Sequence, residues 1–552
     1  MILPARFGAG SPPSFDSRQL FGRGKNFFPL LGAPYFYLST VMIKPLRIFL
    51  IFSLSIALLI ALIFAFPSGV IPMGDDFELH FFSKEELLHP GGRPMVDIRH
   101  IVEGIDTGTA KRVEPLPGTD RTDTAGGRHD SLPHEAPPLR FVVRAIEYPP
   151  GGDTCLQRFF EALQRLKTDR SLIRLLHYGD SQIEGDRITS VLRHYFQSDP
   201  EIGGCGPGLL PVKDVLQGRL ALGIERSDNW IEYSSYLKNG AASPHHDYGL
   251  LGNYYRYIPY PDSTLLALYD SLRADSLPLP AADTVSAWWK AEKRKLGYPS
   301  ARRAEIFRII YNHNPLPLPV QLVCAGRDTL IDTLPATGRS LIRNFPLDTA
   351  FTSLLIRFRA PFSPDIYGFA LDGREGMAVD NIGLRGSAVV NFAAMNVHEL
   401  SRQLRFLNVK MIILQFGVNV VPYVTKKYGF YEQLYYRNLK ALRKAMPDLP
   451  VLVIGVSDMA RKEGTGYASY PNIEKIRDAQ RKAAFRAGCA FWDLYEAMGG
   501  HNSMLSWVQH DPPLANDDYT HFLPAGSRLV GKMIYDAIMK EYDAYRHERK
   551  EP

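Results

Sequence analysis

Arg174-Leu175-Leu176-His177-Tyr178-Gly179-Asp180-Ser181-Gln182 lies a third of the way along this 552-residue chain. It continues an apolar run that starts at Leu172 and suits a strand buried on both faces, and Gly179 then breaks the run. Ile188, Val191, Leu192, Tyr195 and Phe196 follow at i, i+3, i+4, i+7 and i+8, the apolar stripe of a helix. The unit is strand, tight turn, helix, and it leaves the Ser181 hydroxyl at the end of a strand.

The same alternation recurs on either side. Upstream, Leu156, Phe159, Phe160, Leu163 and Leu166 have helical spacing. Downstream, residues 411–416 form an apolar strand ending at Gly417, and Tyr435, Leu439, Leu442 and Met446 mark the next helix. Residues 451–454 form another strand, 473–487 a helix closed by Gly488, and Val530, Met533, Ile534, Ala537 and Ile538 stripe the last helix. Strands separated by helices predict an α/β fold with a parallel sheet covered on both faces.

Residues 220–380 interrupt that rhythm. They are rich in Pro, Tyr and Asp, and Leu354, Ile356 and Phe358 alternate with Leu355, Arg357 and Arg359 at the period of a strand. Runs at 306–311, 320–323 and 367–371 fit further strands, which predicts an inserted β-sandwich of carbohydrate-binding type. Trp288, Trp289, Tyr254, Tyr255 and Tyr257 in this insert fit either a packed core or a sugar-stacking platform.

More than three hundred residues after Ser181 the chain reads Asp518-Tyr519-Thr520-His521. Gly179-Asp180-Ser181, Asn419 within Gly417-Val418-Asn419, and Asp518-x-x-His521 resemble three of the four blocks of the SGNH/GDSL hydrolase family, in that family's order. The fourth block, a glycine, is matched by Gly386 in Asp380-Asn381-Ile382-Gly383-Leu384-Arg385-Gly386-Ser387, with Gly383 as the alternative. The resemblance covers about 140–220 and 380–545, and it implies an SGNH-type, flavodoxin-like sheet.

It also implies roles. A neutral serine hydroxyl is a poor nucleophile, so Ser181 needs a base, which would be His521, with Asp518 fixing the imidazole tautomer. The backbone N–H groups of Ser181 and Gly386 and the side-chain amide of Asn419 would form the oxyanion hole. Each residue has a plainer reading: Ser181 as a helix N-cap, His521 as a surface histidine or paired with Asp517, Asn419 as a turn residue and Gly386 as a strand end. Asp180 is assigned to shaping the turn. The motif continues with Gln182 where the family commonly has leucine, which sets the chain apart from typical lipases.

A long β-rich insertion between the serine and glycine blocks is similar to the layout of peptidoglycan O-acetylesterases and related polysaccharide-modifying enzymes. The expectation is a serine acetylesterase acting on an acetylated polysaccharide or peptidoglycan, with no metal and no organic cofactor. An O-acetyltransferase using the same residues is one alternative. A non-catalytic carbohydrate-binding envelope protein is the other.

The N-terminal region sets location. Residues 48–66 are apolar and uncharged, about long enough to span a bilayer core, and Lys44 and Arg47 precede them. This predicts a cytoplasmic segment 1–47, an anchor or cleaved signal at 48–66, and an extracytoplasmic body in the periplasm or cell envelope. Residues 67–139 are read as a tether, since 104–138 have almost no large apolar residues, and Met42 is a second candidate start. The net charge is +6, yet the first fifty residues hold six basic side chains against Asp16, so the body is nearly neutral and no nucleic-acid partner is expected. Cys155, Cys205, Cys324 and Cys489 lack metal-ligand spacing, and their spacing selects no disulfide pairing.

Overall fold

A computed structural model describes residues 144–549, apart from short internal stretches of which 275–283 is the longest, and scattered positions between 53 and 96. Residues 1–85 form a unit of their own, in which Val70–Pro72 pairs antiparallel with Glu78–His80. Most of the expected 48–66 span lies outside the described residues, and among the described residues no helix is long and apolar enough to cross a membrane. The 104–138 stretch also lies outside them. Before it, within the second unit, residues 86–552, the Val96 carbonyl accepts a 2.7 Å hydrogen bond from Ser506.

That unit is built on five parallel strands. In spatial order they are Gly376–Gly383, Leu172–Gly179, Val409–Gln415, Val451–Ile454 and Ala490–Trp492. Ranked by position in the chain the order is 2-1-3-4-5, the flavodoxin-like arrangement. Alternate side chains serve two cores. Ile173 and Leu175 pack with Gln157–Arg165, Thr189–Ser198 and Pro524–Glu548, while Leu176 and Tyr178 pack with Val397–Phe406, Gly429–Ala445 and Ile473–Arg486. Burial on both faces explains why these strands read as continuous apolar runs.

The insert consists of two antiparallel sheets. One is ordered Leu330–Leu334, Leu318–Cys324, Ser353–Ala360, Val285–Lys293 and Leu222–Arg226. The other is ordered Leu341–Pro346, Ile306–Asn312, Asp365–Asp372, Asn253–Arg256 and Ile231–Ser234, with Gly208–Leu210 also pairing Asp365–Asp372. Trp289, Phe307, Phe358 and Phe369 belong to the shared core. In Ser353–Ala360 the alternation is as read: Leu354, Ile356 and Phe358 are buried, Arg357 and Arg359 exposed.

The antiparallel strands run from Gly208 to Asp372, against 220–380 drawn from periodicity. Gly208–Leu210 is three residues, too short to show a period, and Gly376–Gly383 belongs to the parallel sheet. Asp365–Asp372 is buried along its whole length because Phe369 and Leu371 face the sandwich core while Tyr367 and Ala370 face the α/β body. Tyr254, Tyr255, Tyr257 and Trp289 are core residues, and only Trp288 of the five expected aromatics is half-buried. The buried Cys205 and Cys489 are free thiols.

Candidate active site

The strands of lowest and third rank, Leu172–Gly179 and Val409–Gln415, are neighbours, so the sheet's topological switch point falls between their carboxyl ends. Open α/β sheets bind ligands there. Ser181 follows the first of these strands and Gly417-Val418-Asn419 follows the second.

Two residues fix the turn that carries the serine. The buried Asp180 carboxylate accepts from the N–H of Gln182 at 3.1 Å through Oδ1, and from those of Gly417 and Val418 at 3.0 and 3.3 Å through Oδ2. It thereby ties the serine turn to the Asn419 turn, the shaping role read from sequence extended across two strands. Burial pushes its carboxyl up to about 6, against the pull of those N–H donors. Arg187 donates from Nη2 to the Ser181 carbonyl at 2.9 Å.

His521 and Asp518 reach the serine from the loop before the last helix. The Ser181 Oγ lies 2.8 Å from His521 Nε2, and His521 Nδ1 lies 2.7 Å from Asp518 Oδ2. With Asp518 accepting from Nδ1–H, Nε2 is left to accept the serine proton. Asp518 Oδ1 accepts from the backbone N–H of Thr520 and His521, each at 2.9 Å. Burial draws the Asp518 carboxyl upward, but the His521 ring and these two N–H groups outweigh it and hold it below the usual carboxylate range. Tyr519, between the pair, has φ +52° and stacks on Tyr467 at 3.8 Å, and its carbonyl accepts from the Ala460 N–H. A left-handed tyrosine persists only where neighbours hold it.

Sequence reasoning left Gln182 without a structural role. Its buried amide donates to the Thr520 carbonyl at 2.6 Å and to Ser457 Oγ at 3.2 Å, so the residue after the nucleophile grips the loop that carries the base. Its departure from leucine in the motif was the one available signal.

Gly386 and Asn419 stand beside each other. The Asn419 amide donates to the carbonyl of Ser387 at 3.0 Å, which leaves its second N–H for another acceptor. Gly386 has φ +77° and open space where a side chain would stand, while Gly383, the alternative, is the last residue of its strand and pairs with Gly179. Among the described residues the N–H groups of Ser181 and Gly386 donate to no other residue. Arg385 clamps this turn to the serine turn through Glu184, with bonds of 2.8 and 2.5 Å. A hydroxyl, its base and a set of uncommitted N–H donors can together carry out acyl transfer.

One cluster of metal-ligating residue types occurs among the described residues: His245, Asp247 and His313 in the insert. His313 lies 66 residues from Asp247, too far for sequence spacing to join them. The two rings stack at 4.3 Å and 21°, and both His245 nitrogens are engaged, Nδ1 by the Asp247 N–H at 3.1 Å and Nε2 by the Tyr260 hydroxyl at 2.7 Å. His313 is 2.8 Å from Asp247, and His245 is 3.0 Å from the buried Asp365, so the group is a network of ion pairs and hydrogen bonds. Asn396, the N-cap of Val397–Phe406, donates to Asp247 at 2.7 Å and links that network to the α/β body.

Residues 359–529 match the model of the GDSL-like lipase/acylhydrolase family. The matched stretch holds Gly386, Asn419, Asp518 and His521, and it begins near the end of the insert, so Ser181 lies outside it. No curated protein matches the sequence. Among solved structures, a peptidoglycan O-acetylesterase aligns over 70% of this chain and 96% of its own, at 18% identity and TM-score 0.51, a likeness of fold. A family two carbohydrate esterase from Clostridium thermocellum aligns over 47% of this chain and 93% of its own, at 10% identity and TM-score 0.21.

Proposed function

We propose that this chain, which carries an SGNH/GDSL-type acylhydrolase domain, is a serine esterase that removes O-acetyl groups from a cell-envelope carbohydrate polymer. The observation that carries the reading is the relay from Ser181 through His521 to Asp518, at 2.8 and 2.7 Å. In this reading His521 Nε2 takes the Ser181 proton as Oγ bonds to the acetyl carbonyl carbon. The Ser181 and Gly386 N–H groups and the Asn419 amide receive the oxyanion. The sugar oxygen leaves with the proton from His521, and water, deprotonated in turn by His521, releases acetate from Ser181.

Hydrolysis is favoured over transfer to a second sugar by the openness of the site. The His521 and Asp518 side chains are 31% and 41% exposed, and a transferase must keep water from its acyl-enzyme. The polymer and the location rest on the layout of the chain and on the apolar stretch 48–66, which would anchor the body outside the cytoplasmic membrane.

Hydrolysis of p-nitrophenyl acetate and acetate release from O-acetylated peptidoglycan test this directly. Ser181→Ala is expected to lower both by about a millionfold, to the level set by binding and the oxyanion donors alone. A variant as fast as its parent would remove Ser181 as the nucleophile.

A further inference from the structure

A cavity of about 680 Å³ lies against the candidate active site, at the junction of insert and α/β body. Its walls include Glu184 and Gly185, which follow Ser181 closely, and Gly383, Leu384 and Arg385, which run directly into Gly386. The opposite walls come from the insert, among them Arg219, Arg226, Asn253 and Trp288. Its volume falls in the range of about 300–1,000 Å³ usual for small-ligand sites.

Three atoms on these walls are buried without a hydrogen-bond partner: Arg219 Nη1, Arg226 Nε and Asn253 Oδ1. Arg219 is only 4% exposed and Asn253 3%. The rest of the Arg219 guanidinium and of the Asn253 amide is engaged. Arg219 Nη2 donates to the Asn381 carbonyl at 3.0 Å, its Nε is 3.5 Å from Asp214, and the Asn253 amide nitrogen donates to Glu232 at 3.0 Å. Burying an unpaired donor or acceptor costs about 1–3 kcal/mol, so cavity-lining side chains that carry such groups gain from a ligand that reaches them after a small shift.

The charge pattern selects the ligand's chemistry. Glu184, Asp214, Glu225, Asp228 and Glu232 line the cavity alongside Lys213, Arg219, Arg226 and Arg385. An anion would meet five carboxylates, a cation would meet four basic side chains, and an acyl chain would leave every polar group dry. A neutral ring bearing several hydroxyls offers both donors and acceptors, and its C–H face suits the half-buried Trp288. We infer that this cavity is a subsite for the sugar unit next to the one whose ester lies at Ser181. The inference rests on the function proposed above and adds where the polymer's neighbouring sugar is held, between the insert and the α/β body.

The test compares kcat/KM on acetylated monomers and tetramers of β-1,4-linked N-acetylglucosamine and of β-1,4-linked xylose. In at least one series the tetramer is expected to exceed the monomer by about tenfold or more, and Arg226→Gln and Trp288→Ala should each erase most of that preference. Each variant's rate on p-nitrophenyl acetate reports whether it has folded, and the loss on the tetramer should be about tenfold greater than the loss on this small ester. A flat dependence on chain length in both series, or a preference that survives both substitutions, overturns the subsite. Cleavage of p-nitrophenyl acetate with no cleavage of any sugar ester instead overturns the proposed function, and the subsite with it.

Discussion

Gln182 shows how much one side chain beside a nucleophile can hold. Its amide reaches the Thr520 carbonyl and Ser457, so Gln182→Leu, which restores the family's common residue, strips both contacts while keeping a side chain of similar size. We expect kcat for p-nitrophenyl acetate to fall about tenfold and stability to denaturant by about 1–3 kcal/mol, the cost of leaving buried partners unpaired. A variant with parental kcat would mean that the 518–521 loop holds itself in place. Asp518 and His521 were legible because they are three residues apart on one loop, a spacing that favours Asp518 over the adjacent Asp517, and it is Asp518 that contacts the ring. The partner of Gln182 lies 338 residues away, and no local pattern encodes such a contact.

Among the elements, the turns after two neighbouring strands share one carboxylate. Asp180 accepts two N–H groups from the Gly417-Val418 turn through Oδ2. In Asp180→Asn an amide nitrogen at that position would face those donors with donors of its own. The expected result is a fall of about tenfold or more in kcat, and a stability loss of about 1–3 kcal/mol by equilibrium unfolding. The opposite orientation of the amide, which would spare the Gly417 side and sacrifice the bond from Gln182, would show as the milder loss. The strands and helices of the α/β body were legible from their periods. The limits of the insert were less so, because Gly208–Leu210 is too short to show alternation and Asp365–Asp372, buried on both faces, does not alternate cleanly.

At the scale of the molecule, insert and body are joined by buried charge. Arg174, on Leu172–Gly179, bonds Asp380 of the adjoining strand at 2.7 Å and Asp372 at the end of the insert at 2.6 Å; Asp372 also meets Arg308. Arg174→Met strips the buried Asp380 of its cation and leaves Asp372 with Arg308 alone, and is expected to cost about 3–5 kcal/mol, measured by denaturant unfolding. An unchanged unfolding midpoint would show that packing alone unites the two. Nothing in the composition near Arg174 announces this, since its partners are about two hundred residues away. The same topology governs how the chain is made. Leu172–Gly179 lies between Gly376–Gly383 and Val409–Gln415, and both neighbours are translated nearly two hundred residues or more after it. At about 5–20 residues per second, the ribosome leaves this greasy ribbon without a mate for roughly ten seconds or longer, exposed to chaperones and to other nascent chains.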